Sequence, residues 1–246
     1  IRRDHGDKQM HLKFLAMLGE DFQIQNPEDH FIPNDLPRER PITPSTTLHE
    51  TFPTDGVVLV TGQDQTWNID PNDGEVISNQ FTQQVGLAVG DTVVITTNLS
   101  FDNMFSRLNV IALDRSGSGS GDDSEVGCVV RYTSTGPDYY YAQISQQPTT
   151  PGGAQLYSFW KIVSGIETAL IEKTTFTGTK AGMKRLEVVA NNFCFHYQEN
   201  SEIFTHTDTA ISGNLQGGFR YEGDNTQDQG DIIVDDITIS DERLIF

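Results

Sequence analysis

The sequence predicts an all-β protein in which two packed antiparallel sheets follow an N-terminal arm. From about position 49 onward, apolar and polar residues alternate with a period of two, in short runs separated by turn residues. Only 36% of the residues are hydrophobic, and Gly, Thr, Asn, Asp and Gln are abundant, which is typical of many short strands joined by turns. Many short strands without intervening helices favour two stacked sheets. The predicted strands are residues 57–60, 92–97, 107–113, 126–132, 139–144, 156–163, 166–173, 186–190, 193–197, 219–221 and 232–239.

Two of the predicted connections are tight hairpin turns. Ser164-Gly165 lies between two apolar runs, and Asn191-Asn192 lies between the next two. Pairs of this kind tolerate the positive φ angles that two-residue hairpin turns require. We therefore expect each pair of runs to form neighbouring antiparallel strands.

Residues 1–48 differ from the remainder and predict an arm, so the sandwich domain is expected to cover residues 49–246. The apolar side chains at helical spacing in the arm are Met10, Phe14, Met17 and Leu18. They predict one short helix over residues 8–18, which is marginal alone and needs a partner surface. Five prolines between positions 26 and 44 then favour an extended path. The alternative is a disordered leader.

The charge distribution excludes several classes of partner. The formal net charge is −19, and most of the excess of acidic residues lies after residue 48. A body of this charge repels phosphate backbones and anionic lipid, so we expect neither nucleic-acid binding nor binding to a membrane surface. No apolar run approaches the length of a membrane span. Solubility in extracellular fluid is the simplest interpretation.

The two cysteines, Cys128 and Cys194, both lie in apolar strand-like runs. Buried free thiols are the favoured interpretation. A disulfide between them is the alternative, and sequence alone does not give cysteine pairing.

Six segments of the predicted sandwich can be compared with known protein families: HETF (49–52), GCVVRY (127–132), YYYAQI (139–144), FWKIVSGIETALIE (159–172), AGMKRLEVVANNFCFHYQEN (181–200) and IIVDDITISD (232–241). Together they resemble the concanavalin A-like (laminin G-like) jelly-roll modules that occur in bacteriophage structural proteins and in secreted carbohydrate-binding proteins. The resemblance implies a jelly-roll sandwich far more firmly than any activity.

The residues that glycosidases of this fold use are missing. Such enzymes place nucleophile and acid on one strand as Glu-x-Asp-x-x-Glu, and the chain has no such pattern. His206 and Asp208 make no catalytic constellation. Cys194 and His196 alone are too few for a zinc site, which needs three or four ligands. The sequence therefore predicts a protein that is not an enzyme.

Calcium is the most defensible ion, although no cofactor is required. Glu50 in the first predicted strand and Asp235 and Asp236 in the last resemble carboxylates that tie these strands together in many jelly rolls. Hard oxygen ligands suit Ca²⁺. Asp73 and Asp228 are secondary candidates. The alternative for all five is an ordinary polar turn or strand.

Sugar binding on a sheet needs an exposed aromatic platform, since sugar rings stack on aromatic faces. Alternation places Tyr139 and Tyr141 on one face of their strand and Tyr140 on the other, which shares the parity of Ala142. We expect the Tyr139/Tyr141 face to be open and Trp160 to lie in the core. The predicted glycan-binding residues are Tyr139, Tyr141, Trp67, Tyr157 and Arg131.

Three functions fit these observations. The first is a structural component of a virion, as a phage head fibre, decoration or tail protein whose residues 1–48 dock on a capsid, a tail or its own copies, in an oligomer or larger complex. The sandwich then faces outward and binds surface polysaccharide. The alternative is a secreted carbohydrate-binding module. A polysaccharide hydrolase or lyase is less favoured. The expected location is the virion surface or the extracellular space.

Overall fold

The computed structural model contains fifteen strands and no helix within the residues that it describes. Those residues are 47–52, 67–68, 74–83, 92–113, 124–136, 138–146, 155–177, 181–198, 201–213, 215–222 and 232–241. The strands are β1 (Thr47–Glu50), β2 (Trp67–Asn68), β3 (Gly74–Ile77), β4 (Gln80–Gln83), β5 (Thr92–Phe101), β6 (Met104–Leu113), β7 (Ser124–Tyr132), β8 (Tyr139–Gln146), β9 (Gln155–Val163), β10 (Ile166–Phe176), β11 (Gly182–Val189), β12 (Asn192–His196), β13 (Glu202–Thr207), β14 (Leu215–Glu222) and β15 (Ile232–Ser240).

One sheet has eight strands, in the order β13-β12-β11-β6-β15-β4-β3, with β1 paired to β15 as well. Strand β15 pairs with β6 on one side, and with β1 and β4 on the other. The first and last described strands are therefore neighbours. Every pairing in this sheet is antiparallel.

The second sheet has seven strands, in the order β10-β9-β8-β7-β14-β5-β2. Strands β7 to β10 follow one another in space as they do in the chain, while β14 inserts between β7 and β5. All its pairings are antiparallel. The prediction of an all-β, two-sheet sandwich is confirmed.

The inner faces of the two sheets enclose one hydrophobic core. Aromatic rings dominate it: Phe81 packs edge-on against Phe219 at 5.3 Å between ring centroids, and Phe159 lies 5.2 Å from Phe193. All four rings are fully buried. Because each ring removes a large apolar area from water, these contacts are a principal source of the stability of the sandwich.

The predicted hairpin turns are found, one of them displaced by a residue. Ser164 and Gly165 have φ angles of 52° and 75°, as a two-residue turn between β9 and β10 requires. The other turn is centred on Ala190 and Asn191 and not on Asn191 and Asn192, because Val189 pairs directly with Asn192.

Strand β1 begins at Thr47 and the Leu48 side chain is fully buried, so residues 47 and 48 belong to the sandwich as well. The predicted arm helix lies outside the described residues. Cys128 and Cys194 are free thiols, as expected. In the described ranges we find no helix long and apolar enough to cross a membrane.

Candidate ligand-binding site

Tyr139 and Tyr141 lie on the outer face of the seven-stranded sheet, and Tyr140 lies in the core, as alternation predicts. The prediction that their face is open is wrong, because Tyr139 is 4% exposed and Tyr141 only 2%. Trp160 stands opposite Tyr141 in register, and the Arg220 guanidinium carbon lies 4.0 Å from the Tyr141 ring centroid. The two tyrosines are therefore covered and form no platform.

Trp160 belongs to this outer aromatic patch, so its predicted place in the core is wrong. Tyr139, Tyr141 and Val129 are the buried members of the patch, and Trp160 and Tyr132 are partly buried. On β9 the opposite face, which carries Phe159 and Tyr157, is the one that packs against the core. Alternation along β9 could not show which face packs against the core, because both faces carry apolar side chains.

A polar network lies beside the outer aromatic patch and consists of Glu125, Gln143, Lys173, Arg220 and Glu222. Lys173 Nζ lies 2.7 Å from Glu125 Oε1, and Arg220 Nη2 lies 2.8 Å from Glu222 Oε2. Gln143 donates to Glu125 and accepts from Arg220. Burial raises the pKa of Glu125; Lys173 and Arg220 oppose this effect, and Glu222 adds to it. These groups bind one another and stabilise the face.

Arg131 is 2% exposed and serves the structure, so its predicted role as a glycan contact is wrong. Its guanidinium donates to the Ile211 carbonyl oxygen at 2.8 Å, to Asn191 Oδ1 at 3.2 Å and to the Ala190 carbonyl oxygen. It also lies 5.5 Å from the centroid of the Phe193 ring. The arginine thus holds strand connections together where the two sheets meet.

Asp208 holds the neighbouring turn in place. Its carboxylate accepts hydrogen bonds from Lys161 Nζ at 2.7 Å, from the Tyr140 hydroxyl at 2.5 Å and from the Ala210 backbone at 2.8 Å. Burial raises the pKa of Asp208, but these three donors outweigh it and lower the pKa to about 2. Asp208 is therefore a structural anion.

The predicted calcium ligands are not brought together. Asp236 is paired with His49 Nε2 at 2.6 Å and with Arg107 Nη2 at 3.2 Å. Glu50 is fully buried and accepts a hydrogen bond from the backbone two residues on. In the described part of the chain, no group of three His, Cys, Asp or Glu side chains could hold a metal ion, so Asp235 does not complete a site. The secondary candidates Asp73 and Asp228 lie outside that part.

The five predicted glycan-binding residues are not assembled into one site. Trp67 lies in β2, at the opposite edge of the seven-stranded sheet from β10. Tyr139 and Tyr141 lie on the outer face of that sheet, whereas Tyr157 packs against the core from the inner side. Tyr157 lines a cavity at the edge of the sandwich.

That cavity, which we call the edge cleft, lies where an edge strand of each sheet approaches the other. Strands β9 and β10 contribute one wall, while β13 and the end of β12 contribute the other. Its volume is about 440 Å³, within the range of roughly 300–1,000 Å³ that is typical of small-molecule sites. The lining residues are Tyr157, Thr175, Phe176, Thr177, Tyr197, Glu202 and Ile203.

Three aromatic rings shape the edge cleft. Phe176 and Tyr197 have centroids 5.5 Å apart and planes at 60°, and Phe176 and Tyr157 are 6.1 Å apart at 67°. Tyr157 is supported from behind by Phe204, which stacks on it at 6.0 Å. The three lining rings are half-buried, so each keeps some surface for a ligand.

Polar groups at the edge cleft are exposed to solvent. Thr175, Thr177 and Glu202 are all exposed, and they add hydroxyl and carboxylate oxygens to the aromatic walls. The Cys194 thiol lies 3.1 Å from His196 Nε2. Burial, assisted by the carboxylates of Glu202 and Glu187, raises the pKa of Cys194 to about 12, so this thiol stays protonated at neutral pH.

Sequence reasoning did not identify Phe176 or Tyr197 as site residues. One signal was present: both aromatics lie at or just after the last residue of a strand, next to polar residues. Which strand ends meet depends on the order of strands in each sheet, and alternation does not reveal that order.

Comparisons with known proteins identify the fold. No protein-family model and no curated protein matches the chain. Among solved structures, the carbohydrate-binding module CBM66 from Bacillus subtilis is similar over 69% of this chain and 91% of that one, with a TM-score of 0.51 and 15% identity.

Two further structures share the architecture. A prokaryotic β-1,3-1,4-glucanase (lichenase) from a mouse hindgut metagenome has a TM-score of 0.51 at 8% identity, over 79% of this chain and 98% of its own. The exoplasmic/lumenal domain of VIP36, in its Ca²⁺/Man3GlcNAc-bound form, has a TM-score of 0.50 at 9% identity, over 80% and 90%. The chain therefore has the concanavalin A-like jelly-roll fold, and at these identities the likeness shows the fold alone.

Proposed function

We propose that this protein is a non-catalytic, extracellular carbohydrate-binding module and that the edge cleft holds a sugar residue of its ligand. The observation that carries the proposal is the composition of the cleft: Tyr157, Phe176 and Tyr197 supply ring faces beside exposed hydroxyl and carboxylate oxygens. A sugar presents apolar C–H faces and polar hydroxyl edges, so it needs both kinds of surface.

The two kinds of surface have separate roles in this mechanism. The ring faces remove apolar C–H surface from water, which favours binding without fixing orientation. Thr175, Thr177 and Glu202 can exchange hydrogen bonds with sugar hydroxyls, and these directional contacts fix the orientation. Carbohydrate recognition by CBM66 and by the sugar-bound VIP36 domain shows that proteins of this fold support such a function, which is a further argument for it.

Tyr197→Ala is expected to weaken glycan binding at least tenfold, a loss of about 1.4 kcal/mol of binding free energy. Tyr197 lines the cleft and faces Phe176, so its removal opens one wall. The measurement is a glycan array to find a ligand, followed by titration calorimetry of the wild type and the variant.

Tyr132→Ala is the matched control, since Tyr132 is a half-buried tyrosine in the outer aromatic patch and not in the cleft. A thermal melt of each variant separates loss of binding from loss of folding. If Tyr132→Ala abolishes binding while Tyr197→Ala leaves it intact, the ligand binds on the outer face and the assignment to the cleft is wrong.

A polysaccharide hydrolase is the second candidate, and one observation favours it. Glu125 and Glu222 stand directly opposite each other on β7 and β14, and the pKa of Glu125 is raised by burial. Glycosidases use two neighbouring carboxyl groups, of which the acid has a raised pKa. Against this, both carboxylates are members of the polar network, where Glu125 is paired with Lys173 and Glu222 with Arg220. Reducing-end release from a polysaccharide panel that is lost in both Glu125→Gln and Glu222→Gln would establish the second candidate.

A more specific proposal is that the module is displayed on a virion. The only argument for it is the sequence of residues 1–48. The apolar stripe and the prolines of residues 1–48 favour docking on a capsid, a tail or a second copy of the chain. A chain that lacks residues 1–46 should retain the folded sandwich and lose incorporation into the particle. Normal incorporation of the shortened chain would contradict the docking role.

A further inference from the structure

The described lining of the edge cleft contains an acidic residue and no lysine or arginine. Of the described residues that line it, Glu202 alone carries a carboxyl group. Two basic residues on the neighbouring described strands are paired: Arg185 Nε of β11 lies 2.6 Å from Glu187 Oε1, and Lys173 Nζ of β10 lies 2.7 Å from Glu125 Oε1. The carboxylate of Glu202 is exposed to whatever enters the cleft.

The aromatic rings of the edge cleft also favour a cationic ligand. Phe176 contacts Tyr197 and Tyr157 edge to face, with 5.5 and 6.1 Å between ring centroids and planes at 60° and 67°, so a ligand meets the exposed parts of these rings. The face of an aromatic ring carries partial negative charge and attracts a cation within about 6 Å of its centroid. An exposed ring face beside a carboxylate therefore favours a ligand that carries an ammonium group.

We infer that the edge cleft selects a sugar that carries a free amino group, so that the ligand is a polymer or conjugate of amino sugars in their unacetylated, cationic form. This inference rests on the proposed function. The ammonium group lies against Glu202 and the ring faces, and the pyranose ring covers the remaining aromatic surface. N-acetylation removes the charge and so removes the preference.

The charge of the whole chain supports the same class of ligand. With 35 acidic and 16 basic side chains, the protein has a formal net charge of −19. Its field attracts polycationic glycans and repels sulfated or uronate-rich ones. A charge-assisted hydrogen bond together with an ammonium group over a ring face corresponds to a preference of at least tenfold.

The test compares glucosamine oligosaccharides with N-acetylglucosamine oligosaccharides of equal length, by titration calorimetry on the full chain. We expect the wild type to bind the free-amine form at least tenfold more tightly, and Glu202→Gln to reduce this preference to about threefold or less. Raising the salt concentration should reduce the preference in the wild type, because the contact is exposed and therefore screened.

Glu172→Gln is the matched control, because Glu172 is an exposed carboxylate on β10 that does not line the cleft. It removes the same charge from the chain and should keep the preference. Equal affinity of the wild type for both oligosaccharides, or a preference that survives Glu202→Gln, overturns the inference and leaves the proposed function intact. Failure of the wild type to bind any saccharide on the panel overturns the proposed function itself.

Discussion

Replacing Gly218 with alanine is expected to lower the free energy of unfolding by about 3 kcal/mol. Gly218 lies in β14, opposite Thr96 of β5. A Cβ atom on Gly218 would overlap the carbonyl oxygen of Ile95 and lie 2.9 Å from Thr96 Cα. These atoms are backbone, so they cannot move aside without separating the two strands.

The neighbouring residue, Gly217, provides a comparison in which a smaller loss of stability is expected. A Cβ on Gly217 would meet Met104 Sδ at 2.5 Å and Ile239 Cγ2 at 2.9 Å, which are both side-chain atoms. A methionine side chain changes rotamer readily, so Gly217→Ala should cost about 1 kcal/mol. Urea unfolding followed by tryptophan fluorescence measures both variants. Equal stability of Gly218→Ala and the wild type would show that β14 and β5 are less closely paired than the structure has them.

Alternation predicted much of the sandwich because one face of most strands packs against the core. It placed Tyr140 inside and Tyr139 outside, and the Ser164-Gly165 turn was evident from its residues. It failed for Trp160, because the outer face of that part of the sheet is also apolar. A period of two gives the two faces of a strand without saying which one is buried.

Arg131 shows a second limit of the sequence. Two residues, Val130 and Arg131, occupy the place opposite the single residue Gly217, and Arg131 has a φ of 56°. This bulge interrupts the alternation and directs the arginine toward Ile211, away from the sheet surface. No residue in the β7 sequence indicates that a bulge is present. The sequence therefore predicted that Arg131 lies on a binding face.

The edge cleft was beyond sequence reasoning for a different reason. Tyr157 and Glu202 come from different sheets, and they meet only because β10 and β13 are the edge strands on the same side of the sandwich. Sheet order results from long-range pairing, which local patterns do not encode. The fold was therefore predictable, whereas the site was not.

Asp208→Asn is expected to lower the free energy of unfolding at pH 7 by roughly 2–3 kcal/mol. The pKa of Asp208 is about 2 in the folded state, against an ordinary value of 3.8. Because the folded pKa lies below the unfolded one, the ionised carboxylate stabilises the native state at pH values above about 4. This contribution declines as the pH falls from about 4 through about 2. The asparagine also leaves Lys161 without the carboxylate that it now contacts at 2.7 Å.

The pH dependence distinguishes this anion from an ordinary surface carboxylate. Urea unfolding at pH 7 and at pH 3 should show a gap between wild type and Asp208→Asn that is large at pH 7 and clearly smaller at pH 3, because part of the wild-type advantage is then lost. Asp102→Asn removes an equal charge from an exposed position and should change stability by less than about 0.5 kcal/mol at either pH. A gap that is the same at both pH values would mean that Asp208 acts through the shape of its turn and not through its charge.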